Sequence, residues 1–162
     1  ITFSQLDYNT ASNLKNDWML ITAKKEDKVN PMTASWGGFG VLWNKPVVYI
    51  FIRPQRHTLG FVQNKSHFTL SFFGEEHRSA LQLLGTRSGR DGDKVAAAGL
   101  TPVFCDGYTY FAEANLVLVC RKIYQAPIKE EYFLDREVMD KAYPNRDFHD
   151  MYIGEIVKVL AE

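Results

Sequence analysis

The feature that most constrains this chain is a succession of apolar stretches, most of them too brief for a packed helix and several closed by turn residues. Met19–Ala23 is followed by the polar stretch Lys24–Lys28, and Phe39–Trp43 runs into the turn Asn44-Lys45-Pro46. Val47–Ile52 is then apolar almost without interruption. Phe68, Leu70 and Phe72 alternate as the core-facing residues of a half-buried strand do. Thr109–Ile123 sets Ala114, Leu116, Leu118 and Cys120 on one face against Val117 and Val119 on the other, and Met151–Leu160 closes the series. Six or seven strands separated by short turns predict a mainly β fold, a barrel or a sandwich. With no repeat, low-complexity tract or linker, one domain is expected over residues 1–162.

Helices are expected to be few, short and peripheral. Thr58 reads as the N-cap of Leu59–Lys65. Glu75 and Glu76 open a second helix through Leu84, with Gly85 as its stop. Asp91 caps Gly92–Ala98, which Gly99 ends, and a fourth helix runs from Asp135 to Lys141 before Pro144.

Charge and cysteine usage exclude several function classes. Nineteen basic residues balance nineteen acidic ones, which argues against nucleic acid as a partner, because such proteins carry excess cations to neutralise phosphates. Any anion site must therefore be local. Cys105 and Cys120 lie outside any CxxC and read as reduced, buried thiols. No apolar run approaches the ~20 residues of a membrane span, and no signal-peptide pattern opens the chain. The expectation is no membrane association and a cytoplasmic location. His57, His67, His77 and His149 form neither HxxxH nor HExxH, so no metal site is expected.

Three segments can carry chemistry. Asn30-Pro31-Met32-Thr33-Ala34-Ser35-Trp36-Gly37-Gly38 combines small residues, which let backbone approach a flat ring edge, with the hydroxyls of Thr33 and Ser35. The same composition describes an ordinary loop around a buried Trp. Arg53-Pro54-Gln55-Arg56-His57-Thr58 places two guanidinium groups at a helix start, where free N–H groups favour an anion; solvated surface charge is the plainer reading. Ser88-Gly89-Arg90-Asp91-Gly92-Asp93-Lys94 is a second possible anion clamp, or a capped surface turn. His149 has no partner visible in the sequence and reads first as structural.

Taken in order, Met-Thr-Ala-Ser-Trp at 32–36, Ile52-Arg53-Pro54 with Arg56 and Thr58, Ser88-Gly89-Arg90-Asp91 with Asp93-Lys94, and Met151-Tyr152-Ile153-Gly154-Glu155-Ile156-Val157 resemble the flavin reductase-like, flavoredoxin-type proteins. The resemblance runs from about residue 15 to the C-terminus. It implies an FMN-binding split β-barrel of Greek-key type with a few short peripheral helices, assembled as a homodimer. It further implies an oxidoreductase passing electrons from NADH or NADPH through FMN to an acceptor. The alternatives are a flavoredoxin-like electron carrier reduced by a redox-protein partner and a non-catalytic FMN-binding module. Carried over residue by residue, Met32, Thr33, Ala34, Ser35 and Trp36 lie along the flavin. Arg53, Arg56 and Thr58 hold the phosphate, with Lys94 as a further contact. No catalytic side chain is implied, since the flavin carries the chemistry. The chain departs from the family pattern at His57, where a tyrosine is expected, and at Leu84, where relatives often carry a cysteine.

Overall fold

The computed structural model of the protein describes residues 1–161. Its nine strands are β1 (Met19–Lys25), β2 (Lys28–Ala34), β3 (Gly37–Leu42), β4 (Lys45–Ile52), β5 (His67–Phe72), β6 (Pro102–Phe104), β7 (Thr109–Phe111), β8 (Leu116–Pro127) and β9 (Asp150–Ala161). Seven of them form one antiparallel sheet in the order β2-β1-β5-β8-β9-β4-β3, and β6 pairs with β7 in a separate hairpin.

That order dictates the shape. β2 and β3 are the two edges of the sheet, yet only Ser35 and Trp36 separate them in sequence. Two residues cannot span a flat seven-stranded sheet whose strands lie about 4.8 Å apart. The sheet therefore curls until its edges meet at this corner, forming a barrel whose seam is bridged covalently but has no ladder hydrogen bonds. Pro31 inside β2 fits an edge strand, where a missing N–H costs no ladder bond on the open side.

The barrel core follows period two. Met19, Ile21 and Ala23 of β1, Val48, Ile50 and Ile52 of β4, Phe68, Leu70 and Phe72 of β5, and Leu116, Leu118 and Cys120 of β8 all point inward. Gly154 of β9 sits opposite Phe68: a Cβ there would lie 2.7 Å from the Phe68 ring and 3.0 Å from the Cys120 Cβ. Outside the wall, Leu20 of β1 packs against Ala80, Leu81 and Leu84 in a second cluster with Val95 and Phe111. β1 is thus covered on both faces, which explains why Met19–Ala23 shows no polar alternation.

The α-helices are α1 (Lys15–Asp17), α2 (His57–Gln63), α3 (Arg78–Thr86), α4 (Lys94–Ala98) and α5 (Arg136–Ala142). Several local expectations change. Arg56, not Thr58, is the N-cap of α2, because the Thr58 hydroxyl is buried and accepts the Asn30 amide at 2.6 Å. Gly85 does not stop α3, which runs on to Thr86. It lies against β2, where an added Cβ would come within 3.2 Å of the Thr33 Cβ. Asp93, not Asp91, caps α4 by accepting the Ala96 N–H, and Gly99 ends that helix at φ +71°. Asp135 caps α5.

The stretch 109–123 is not one strand. β7 leaves to pair with β6, and the chain turns through 112–115 before β8 begins; there the Glu113 carboxylate accepts the Thr101 N–H at 3.0 Å. The β3–β4 turn sits one residue earlier than the proline suggests. Trp43 and Asn44 both have positive φ, as two-residue hairpins require, and Lys45 and Pro46 begin β4.

Candidate functional site

The first candidate segment is not a loop. Asn30 to Ala34 is the second half of β2, followed by the corner Ser35-Trp36 and then β3. Met32, Thr33, Ala34, Ser35 and Trp36 border a hollow of about 280 Å³ whose far wall is Phe51, Arg53, Arg56 and His149. The corner lies at the seam, where β2 lacks a partner strand beyond its edge. Trp36 stays half exposed over the opening, its ring 5.4 Å from that of His149. Of the two hydroxyls expected to face a ligand, Thr33 donates to the Leu81 carbonyl of α3. Ser35 is the hydroxyl left free to donate.

A second hollow of about 180 Å³ lies between the start of α2 and the segment leading to α4. It is lined by Asn30, Gln55, Arg56, His57, Thr58, Thr86, Arg87, Ser88, Gly89 and Lys94. Arg56 lines both hollows, so a ring-sized cleft and a smaller polar one meet at this residue. The second and third candidate segments, 30 residues apart in sequence, close the smaller hollow from opposite sides. Gly89 is required there: a Cβ would sit 2.2 Å from the Asn30 side-chain oxygen.

The electrostatics of the smaller hollow are one-sided. Lys94 is 5% exposed, and its ammonium reaches only the Leu84 and Arg87 carbonyls, each at 3.3 Å. Burial, reinforced by the nearby Arg56, pushes Lys94 down to about 8. Burial likewise disfavours the charge on Arg56, which donates to the Gly85 carbonyl at 3.2 Å. His57 is pulled below its ordinary range by burial and then by Arg90 and Lys94. No carboxylate lines this hollow, and neither Lys94 nor Arg56 has an ion-pair partner among the described residues. A desolvated cation held by carbonyls alone is costly, and an anion in the hollow would offset that cost.

Arg53 is placed differently from Arg56. Its guanidinium pairs with Asp147 at 2.9 Å, donates to the Ala142 carbonyl at 2.9 Å and lies 5.1 Å from the centre of the Tyr143 ring. It borders the ring-sized hollow only. Tyr143 in turn is 2.6 Å from His149 Nδ1. Phe51 and Tyr143 carry no sign of a role in the sequence, and Asn30, which opens the first candidate segment, has its part as the donor to Thr58 only in the fold.

Among the described residues no helix is long and apolar enough to cross a membrane, and no three His, Cys, Asp or Glu side chains are grouped to hold a metal ion.

The sequence profile of the flavin reductase like domain matches residues 11–162. No curated protein matches the chain. Among solved structures, the fold is similar to a flavoredoxin of Desulfovibrio vulgaris (Miyazaki F), at 23% identity over 90% of this chain and 69% of that one, with a TM-score of 0.70. It is similar to an FMN-binding protein from Thermus thermophilus, at 23% identity over 90% and 71% of the two chains, with a TM-score of 0.69. A split-barrel flavin reductase of Shewanella frigidimarina, described as putative, covers 98% of this chain and 76% of its own at 18% identity and a TM-score of 0.70. The profile match spans nearly the whole chain, and the fold is similar to that of these structures, so the chain belongs to the flavin reductase-like family.

Proposed function

We propose that this protein binds FMN and passes electrons from NADH or NADPH to an acceptor. The observation that carries the reading is the pairing of a ring-sized cleft with a buried, carboxylate-free cationic hollow, joined at Arg56. Met32, Thr33, Ala34, Ser35 and Trp36 would lie along the isoalloxazine, with Arg53 and His149 across from them. Arg56, Thr58 and Lys94 would hold the phosphate; Thr58 has its own proton to donate, since its oxygen already accepts from Asn30. Bound FMN supplies the redox chemistry. The protein's part is to position the ring, shield one side with Trp36 and neutralise the phosphate. The two free cysteines fit a reducing compartment such as the cytoplasm.

An absorbance spectrum tests this directly. The purified protein given FMN is expected to show bands near ~450 and ~370 nm that bleach when NADH or NADPH is added without oxygen. Bands that bleach only with a reduced redox protein would replace the nicotinamide step by the carrier reading. A protein that takes up no FMN would sink the proposal.

A homodimer belongs to the same proposal. Val41 and Trp43 of the β3–β4 hairpin are exposed, and the Trp43 ring lies 6.1 Å from that of Tyr124 of β8, tilted against it and itself exposed, with Val157 of β9 also open to solvent. Such an apolar area on the barrel wall fits a second copy of the chain. Sedimentation at micromolar concentration is expected to give twice 18.6 kDa. A monomer would remove this element.

A further inference from the structure

We propose that Tyr143 is a positioning residue that locks His149 as a neutral imidazole with its proton on Nε2, so that the ring-sized cleft carries a fixed hydrogen-bond donor for a carbonyl or pyridine-type acceptor of a flat heterocycle. The ligand half of this inference rests on the flavin reading; the tautomer half does not.

The geometry leaves little freedom. Tyr143 and His149 are both buried, and the phenol oxygen lies 2.6 Å from Nδ1. A buried phenol proton needs an acceptor, and Nδ1 is the acceptor within reach of Tyr143 among the described residues. If Nδ1 carried the proton instead, the phenol would be left with none. The phenol therefore donates to Nδ1, and a neutral imidazole must then hold its own proton on Nε2. Nε2 has no protein partner among the described residues, yet it is not sealed from solvent, and His149 lines the cleft. Nε2 is thus the ring nitrogen left available to a ligand in that cleft.

Further contacts hold the pair in place. Arg53 lies over the Tyr143 ring and is itself fixed by Asp147, which also accepts from Gln55 at 2.7 Å. Trp36 and Phe51 flank the imidazole at 5.4 and 6.4 Å. The charged groups around His149 are Arg53, Asp147 and, across the cleft, Arg56. Burial, and after it Arg53, push His149 down to about 4, so it is neutral at pH 7.

The test uses the full chain labelled with 15N-histidine, with His149→Gln assigning one signal among the four histidines. Without flavin at pH 7, His149 is expected to show a protonated Nε2 and a bare Nδ1. In Tyr143→Phe, which keeps the ring, the two nitrogens are expected to average and the protonation midpoint to rise. An Nδ1-protonated or averaged wild type would overturn the lock, as would an unchanged pattern in Tyr143→Phe. For the ligand half, Tyr143→Phe is expected to weaken FMN binding roughly three- to tenfold, the size of one hydrogen bond. His149→Gln, which keeps an N–H on a flat side chain, is expected to lose less than His149→Phe. Equal FMN affinity in all four proteins would overturn the donor role while leaving the flavin reading intact. Failure of the wild type to bind FMN would overturn that reading without touching the nitrogen signals.

Discussion

Lys94→Met is expected to raise the thermal stability of the flavin-free protein and to weaken its affinity for FMN. The two changes have one cause. Lys94 is buried with only two carbonyl partners and shares its surroundings with Arg56, which lowers it to about 8 from the ordinary 10.5. Below pH 8 the side chain is charged in both the folded and the unfolded chain, so the full cost of burying it opposes folding, on the order of 3 kcal/mol. As pH rises between about 8 and 10.5, the folded chain sheds this proton before the unfolded chain does, and the cost disappears. Flavin-free wild type is therefore expected to gain stability over that window, and the variant is not.

Part of the gain is lost because the Leu84 and Arg87 carbonyls give up a donor, so a rise of roughly 2–6 °C in Tm is expected at pH 7. With FMN present the order reverses. A charge-assisted bond to a phosphate contributes about 1.5–3 kcal/mol, so affinity is expected to fall roughly 10- to 100-fold. Thermal melts with and without FMN, at pH 7 and 9.5, check both halves. A variant with unchanged affinity would move the phosphate away from Lys94.

Gly37→Ala is expected to destabilise the barrel by about 2–4 kcal/mol, the sum of a backbone strained for any L side chain and a steric clash. Gly37 opens β3 at φ +139°, and a Cβ there would stand 2.5 Å from the Tyr49 carbonyl oxygen and 3.3 Å from the Met19 methyl. The oxygen belongs to a strand inside the sheet and cannot step aside. Gly38, the next residue, has only the Thr10 methyl at 3.8 Å from its would-be Cβ. Gly38→Ala is accordingly expected to change stability by less than about 1 kcal/mol. Urea midpoints of the two variants against wild type make the comparison. Because Gly37 follows Ser35 and Trp36 directly, its substitution is also expected to shift the corner and reduce FMN uptake. Equal midpoints for both variants would mean that the seam tolerates a side chain, contrary to the geometry.

Much of the barrel was legible because period-two burial leaves its mark on local sequence. Phe68-x-Leu70-x-Phe72 and Leu116-x-Leu118-x-Cys120 face the core as their spacing predicts. Gly99 ends α4 and Asp135 stands at the start of α5, there as its cap, because helix ends are decided within a few residues. Thr58 and Gly85 went the other way for a physical reason that no local window contains. Asn30 had already claimed the Thr58 hydroxyl, and β2 approaches α3 so closely that a Cβ at residue 85 would press on Thr33 at 3.2 Å.

By itself, then, the sequence determined most of the barrel strands, the short peripheral helices and the residue types needed for a ring and a phosphate, since these depend on spacing and composition. Tertiary structure alone decided that β2 and β3, neighbours along the chain, became opposite sheet edges meeting at Ser35-Trp36. It also separated the two arginines, tying Arg53 to Asp147 and leaving Arg56 beside Lys94. Those outcomes depend on which distant groups reach each side chain first, and that is set by how the sheet closes.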